Sequence, residues 1–200
     1  MYDNSSRSLT KKSNFVPLCI FALWLITATG YAQSGPFTAD SIPEVEDEVV
    51  FTYHFKGNLT KEAIHTRTHD YLDRELNPYS GAFLKNNRDS MVCRITDYLE
   101  IESNMLNVFG MYMTYDMKFV FNEGACDITI SHIIFMEKSY FERQEETSRK
   151  LYFQEFTGKE IMIERKYTQL LKRDVSNRIT DTAINRFNEI VRSLRVNYVD

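Results

Sequence analysis

The chain has 200 residues, 43% hydrophobic and 26% charged, which suits one globular domain with a sizeable core. Its 24 basic and 28 acidic residues give a net charge of −4. That mildly acidic balance, with no basic stripe to offset it, argues against a surface that grips nucleic-acid phosphates. Seven glycines leave little material for strained catalytic turns.

Residues 1–32 read as a secretory signal peptide. Arg7, Lys11 and Lys12 form its positive region, Phe15 to Ala28 its apolar region, and Gly30-Tyr31-Ala32 a cleavage site after Ala32. The apolar run is short for a membrane span of about 20 residues and contains Pro17. Cys19 has no small residues of a lipoprotein site before it. Cleavage lowers the counts to 21 basic and 27 acidic residues, a net charge of −6, and leaves no stable membrane span. Residues 33–47, with Gly35, Pro36, Pro43 and the run Glu44-Val45-Glu46-Asp47-Glu48, read as a flexible leader, and residues 48–200 as a single domain.

Val49, Phe51, Tyr53 and Phe55 fall on one side of a first strand. Thr60 caps a helix over Thr60 to Leu76, with Leu59 and Ile64 at the spacing of a hydrophobic staple. Its apolar stripe is Ile64, Thr68, Tyr71, Leu72 and Leu76, and Asn77-Pro78 stops it. Gly81 to Arg88 reads as a polar connection. Met91, Cys93, Ile95, Leu99 and Ile101 then share one face of a second strand, with Asp97 as the exception.

Met105 to Lys138 reads as one long hairpin. Phe109, Met111, Met113, Tyr115, Met117, Phe119 and Phe121 occupy the odd positions of the first arm, and Cys126, Ile128, Ile130, His132, Ile134 and Met136 the even positions of the second. Asn122 opposite Ala125 places Phe121 against Cys126, Phe119 against Ile128, Met117 against Ile130 and Met113 against Ile134. The strand before the hairpin also buries odd positions, so the loop at Glu102-Ser103-Asn104 must be odd in length, or a bulge must make up the count. A three-residue loop sets Cys93 against Met113 and Ile101 against Met105. Cys93 and Cys126 then lie more than about 20 Å apart along the sheet, and both should be free thiols.

From Tyr140 to Phe156 aromatics alternate with the charged run Glu142-Arg143-Gln144-Glu145-Glu146, and Ile161 to Leu171 fits strand or helix. Thr180 caps a final helix whose stripe is Ala183, Phe187, Ile190, Val191 and Leu194, with Ile179 and Ile184 as its staple. The order strand, helix, three antiparallel strands, C-terminal helix makes an α+β domain, an antiparallel sheet with helices packed on one face.

The signal peptide, that order of elements through Lys138, and the closing Arg178-Ile179-Thr180-Asp181-Thr182-Ala183-Ile184-Asn185-Arg186-Phe187 resemble a family of short exported bacterial proteins. That family is a domain of unknown function with a TATA-binding-protein-like (TBP-like) fold. The resemblance implies a fold and an export route, and no activity.

Three polar groups invite chemistry. His65, His69 and Asp73 line up four apart on the first helix, the spacing of metal ligands, but no glutamate follows His65 as a zinc-protease motif needs. His132 falls on the buried face opposite Tyr115, where a hydrogen bond between the two is expected. Asp97 is the lone carboxylate on its buried face, placed near the sheet end within reach of Lys138 or solvent. No Gly-x-Ser-x-Gly, Cys-x-x-Cys or phosphate-binding glycine loop is present.

The outer face carries Tyr98, Tyr112, Ile133 and Phe135, with Tyr112 between Arg94 and Phe135. Gly110 leaves room for a neighbouring side chain to lie on the backbone. A half-apolar face of this kind needs a cover or a partner. Tyr140, Phe141, Leu151, Tyr152, Phe153 and Phe156 are a ready cover. The expected function is a non-enzymatic, exported or periplasmic module without cofactor, binding a protein or a small apolar ligand and no nucleic acid. The alternative is a metal-dependent hydrolase built on His65, His69 and Asp73.

Overall fold

Each strand of the main sheet runs antiparallel to its neighbours, as sequential strands joined by short turns allow. The computed structural model describes residues 35–76, 80–104, 107–146, 155–167 and 175–199. The expected signal peptide, the Asn77-Pro78 stop, Met105, Leu171 and the Leu151-Tyr152-Phe153 part of the cover lie outside them.

In chain order come β1 (Glu44–Val45), β2 (Glu48–Val49), β3 (Phe51–Lys56), α1 (Lys61–Glu75), β4 (Gly81–Asn86), β5 (Ser90–Asn104), β6 (Asn107–Asn122), β7 (Ala125–Glu137) and α2 (Lys138–Glu146). The short β8 (Glu155–Thr157), a single π-helical turn (Lys159–Ile163) and α3 (Val175–Val199) complete the described chain. The sheet order is β3-β7-β6-β5-β4, with β8 also on β7, and β1 and β2 form a separate small hairpin.

The alternation of β6 buries its central odd positions completely: Met111, Met113, Tyr115, Met117 and Phe119 have no exposed surface. Burying each such side chain contributes about 1.5–3 kcal/mol. Two helices cover this inner face. Helix α1 is capped by Thr60, whose Oγ1 accepts the Ala63 N–H, and it buries Ile64, Thr68, Tyr71 and Leu72, as the stripe implied. Helix α3 brings Phe187 against Phe51 and Tyr115, with ring centroids 5.4 and 5.1 Å apart. The two helices meet where the Thr68 hydroxyl lies 2.6 Å from that of Tyr198. No helix among the described residues is long and apolar enough to cross a membrane.

Four expectations need correction. Gly81 to Asn86 is a strand, not a loop. It lies at the sheet edge with mostly exposed side chains and a register shift at Leu84, so it shows no alternation to read. The β5–β6 register slides four residues from the expected one. Cys93 faces Met117 and Ile95 faces Tyr115, because Glu102-Ser103-Asn104 continues the strand and a bulge between Glu100 and Glu102 supplies the odd count. Thr180 caps nothing. Helix α3 has begun by Val175, and the buried Thr180 hydroxyl donates back to the Ser176 carbonyl at 2.8 Å.

The leader is the fourth. Phe37 packs in the core with its ring 5.1 Å from Phe51, and the Asn188 side chain holds its backbone at both ends. Asn188 Oδ1 accepts the Phe37 N–H at 3.0 Å, and its amide donates to the Phe37 carbonyl at 2.9 Å.

The cysteines remain free and buried. Cys93 faces Met117 and Cys126 faces Phe121, so four residues of β6, about 13 Å, separate them along the sheet instead of eight.

Candidate ligand cleft

Strand β7 loses its outer partner for three residues, and the cleft opens there. Strand β3 pairs with it from Ala125 to Ile130, and β8 from Ile134 to Met136. On its other side β6 steps from Asp116↔Ser131 to Thr114↔Ile134, so Tyr115 alone spans His132 and Ile133. This is a β-bulge, which bends the strand and re-aims its side chains. His132 takes φ 53°, left-handed for a residue with a Cβ, and its N–H donates to the Glu48 carboxylate.

The bulge reverses the inside–outside parity of everything after it. His132 is exposed rather than hydrogen-bonded to Tyr115, and Ile133 and Phe135 turn into the core, 3% and 0% exposed. Phe135 pairs with Met113 on the inner face, the place expected of Ile134. Ile133 and Phe135 therefore do not join Tyr98 and Tyr112 on the outer face.

Beside the bulge lies a cleft of about 570 Å³, lined by Asp47, Glu48, Val49, His132, Ile133, Ile134, Thr157, Gly158, Lys159, Glu160, Glu164 and Lys166. Its floor is aliphatic, from Val49, Ile133 and Ile134, of which the first two are almost fully buried and only Ile134 is partly exposed. Gly158 lies so close over that floor that a Cβ would sit 3.1 Å from Ile133 Cβ and 3.4 Å from Val49 Cβ. Its rim is charged. Lys159 Nζ sits 2.7 Å from Glu44 and bonds Asp47, which holds the lysine above and Asp47 below its ordinary pKa. The Thr157 backbone N–H lowers the Glu160 pKa, and Glu164, 2.5 Å from Lys166, raises that lysine's.

The four non-glycine residues with positive φ among the described residues all border this cleft. Asp47 and His132 line it, Glu46 precedes Asp47, and Arg165 stands between Glu164 and Lys166. Glu46 and Asp47 are the two central residues of the β1–β2 hairpin turn, whose geometry requires positive φ at both, so the strain peculiar to the cleft is that of His132 beside a π-helical turn.

Three oxygen atoms gather about one ring nitrogen of His132. Its Nδ1 lies 3.1 Å from Ser131 Oγ, 3.6 Å from Asp116 Oδ2 and 3.9 Å from Glu48 Oε1. A serine–histidine–carboxylate relay needs the serine and the carboxylate on opposite ring nitrogens, and here all three face one. Asp116 is in turn clamped by Arg94 at 2.8 and 2.9 Å.

The other singled-out residues lie elsewhere. His65 Nε2 is 3.0 Å from Asn86 Oδ1, His69 stacks on Phe83 at 5.1 Å, and Asp73 lines a separate, more open cavity of about 580 Å³ with Arg67, Asp70, Arg74 and Asn197. The described residues hold no group of three or more His, Cys, Asp or Glu that could bind a metal ion.

Asp97 is partly reached by solvent, its side chain 16% exposed, and its partners are other than the expected Lys138. It accepts from the Tyr115 hydroxyl at 2.8 Å and from Arg186 Nε at 3.0 Å. Burial and this carboxylate raise the Tyr115 pKa well above its ordinary value. Burial alone would lower that of Arg186, and Asp97 outweighs it and raises it.

On the outer face Tyr98 faces Tyr112, ring centroids 5.2 Å apart, and Phe141 of α2 stacks on Tyr112 at 4.0 Å. Lys138 lies over the Tyr98 ring, and Tyr98 lies across Gly110, where a Cβ would sit 2.2 Å from its hydroxyl. Tyr112 thus sits between Tyr98 and Met136 instead of between Arg94 and Phe135.

Solved structures supply the comparison that matters. A DUF4468 family protein from Bacteroides ovatus superposes with a TM-score of 0.63 at 14% identity, covering 78% of this chain and 90% of that one. A TBP-like protein from Parabacteroides distasonis gives 0.62 at 9% identity, covering 80% and 97%. The fold is TBP-like. At this identity the likeness concerns the fold alone, as the resemblance read from the sequence implied, and neither description names an activity. No family model matches the sequence, and no curated protein matches it.

Proposed function

We propose that this chain is an exported, non-enzymatic module that binds a small ligand or a protein segment in the cleft at the β7 bulge. One observation carries the reading. The break in strand pairing, the left-handed backbone of His132 and a charged rim coincide at one place, with a volume in the range of small-molecule sites. The single nitrogen shared by the contacts of His132 favours binding over proton-transfer chemistry. The cleft departs from the apolar ligand expected of the outer face, since charged residues line most of it.

The test has two arms. Protein recovered from the periplasm should begin at Gln33, and an intact Met1 in a membrane fraction would overturn the export reading. In amide-resolved NMR, a fragment screen on the mature protein should shift His132, Ile133, Gly158 and Lys159. Shifts confined to Tyr98, Tyr112 and Phe141 would move the site to the aromatic patch.

A further inference from the structure

We propose that the chain exchanges its N-terminal arm, residues 35–45, with a second copy of itself, opening at the Glu46-Asp47 turn. The proposal stands whether or not the cleft takes a ligand.

The seat of the arm is a built site with its occupant in view. Phe37 is the arm's one buried side chain, and Asn188, 6% exposed, bonds both the N–H and the carbonyl of its backbone. Gly35 passes so close to the same carboxamide that a Cβ would sit 2.0 Å from Asn188 Cγ. The slot thus holds an extended backbone by its polar groups and one aromatic ring by packing, as peptide sites do. It receives that segment equally well from its own chain or from another copy. The rest of the arm lies at the surface. Thr38, Asp40, Ser41, Glu44 and Val45 are exposed, and Ala39 and Ile42 are only partly buried.

The turn supplies the reason to open. The pairing of Val45 with Glu48 leaves Glu46 and Asp47 at the hairpin tip, at φ 50° and 71°. A two-residue turn with positive φ at both positions favours Asn-Gly or Gly-Gly. Here both residues carry a Cβ, which the left-handed region disfavours. A short hinge loop under strain invites exchange, because extending it relieves the strain.

Once extended, β1 runs straight on into β2. The pairs Glu44↔Val49 and Val45↔Glu48, the Val50 N–H on the Pro43 carbonyl, Lys159 on Glu44 and the Phe37 clamp all re-form between copies. Asp47 leaves Lys159, but that carboxylate is exposed, and surface ion pairs contribute little. Reach is ample. Residues 37 to 49 span about 40 Å when extended, against a radius of gyration of about 15 Å for a domain of this size. Closed and exchanged forms therefore share their contacts, and hinge strain and concentration decide between them. Exchange also makes the cleft a joint one, since the Glu44 that holds Lys159 then comes from the second copy.

The test mixes isotopically light and heavy mature protein at millimolar concentration, warms it to just below its melting temperature and cools it. Gel filtration then separates monomer from dimer. A zero-length carbodiimide joins Glu44 to Lys159, whose Nζ lies 2.7 Å away. The dimer should yield Glu44–Lys159 peptides with one light and one heavy half, and the monomer only matched halves. A dimer with matched halves alone is a surface dimer, and the exchange is then wrong.

Glu46→Asn with Asp47→Gly gives the closed turn its preferred residues and should weaken dimerisation by at least about tenfold. Glu46→Pro fixes φ near about −65°, which the closed turn cannot use, and should raise the dimer fraction above that of the parent. Unchanged dimerisation in the Asn-Gly variant would take the hinge away from this turn and overturn the proposal. It also falls if the parent and Glu46→Pro both stay monomeric through the warming cycle.

Discussion

The two halves of β7 carry the same kind of sequence and do opposite things. From Ala125 to Ile130 every even residue is buried, paired with β6 on one side and β3 on the other. Beyond the bulge the residues that turn into the core are Ile133 and Phe135, at odd positions, while Met136 is buried beside Tyr112 on the other face, and the outer partner is β8. Two residues, Ser131 and His132, separate the two halves, and His132 carries the left-handed backbone. A strand can keep its hydrogen-bonded neighbour through such a step while its outer edge gives way, so a binding cleft can be built without adding a domain or a long loop.

The largest effect should come from testing that parity step directly. Phe119, in the regular half of the hairpin, and Phe135, beyond the bulge, are both without exposed surface. Phe119→Ala and Phe135→Ala should each destabilise the protein by about 3–5 kcal/mol, read by denaturant melts. Tyr112→Ser should cost less, because its ring is only partly covered by Tyr98 and Phe141. A Phe135→Ala protein as stable as the parent would restore the uninterrupted register and remove the bulge.

A smaller effect should come from the hinge residue. A β-branched side chain is poorly tolerated at φ 53°, where glycine is at ease. His132→Val should be less stable than His132→Gly by roughly 1–2 kcal/mol. The same pair of substitutions at Thr129, in the regular half, should reverse the order, since valine favours a strand.

These contrasts also mark how far the sequence could be read. The alternation from Phe109 to Phe121 and from Cys126 to Ile130 implied the observed pairing around the turn, because any slip there would set apolar against polar. The run Ile133-Ile134-Phe135-Met136 has apolar residues at both parities, so it fits either phase and hides the switch. The β5–β6 bulge was foreseen as one of two ways to balance the count, and the three-residue loop was the wrong choice for the register.

Of the site, Ile133 and His132 were singled out, each for the wrong face. The rest of the rim comes from the charged run before β2 and from residues 157–166, where neither periodicity nor a motif stands out. Gly158, directly before the π-helical turn, was the one available signal.

The smallest expected effect is a pH dependence that the bulge should leave untouched. Burial pushes the thiols of Cys93 and Cys126 from an ordinary 9.0 up to about 12. The unfolded chain therefore releases these protons first. The stability they contribute is complete below pH 9 and is lost as pH rises towards 12. At pH 9.5 the loss should stay under about 1 kcal/mol per thiol. The melting temperature should fall less steeply from pH 8 to 9.5 in a protein carrying Cys93→Ala and Cys126→Ala, and just as steeply in His132→Gly. An equal slope in the double cysteine variant would mean that other groups control the alkaline limb.

The clamp between Asn188 and Phe37 joins positions 151 residues apart. A ribosome makes Phe37 early and Asn188 nearly last. Through most of synthesis, Phe37 and Phe51 have no α3 to close over them, so the nascent chain cannot finish its core. Contacts this distant in sequence slow folding. The native state is thus reached only after the C-terminal helix has emerged, and a chain truncated before Val175 would leave its innermost aromatic cluster open to water.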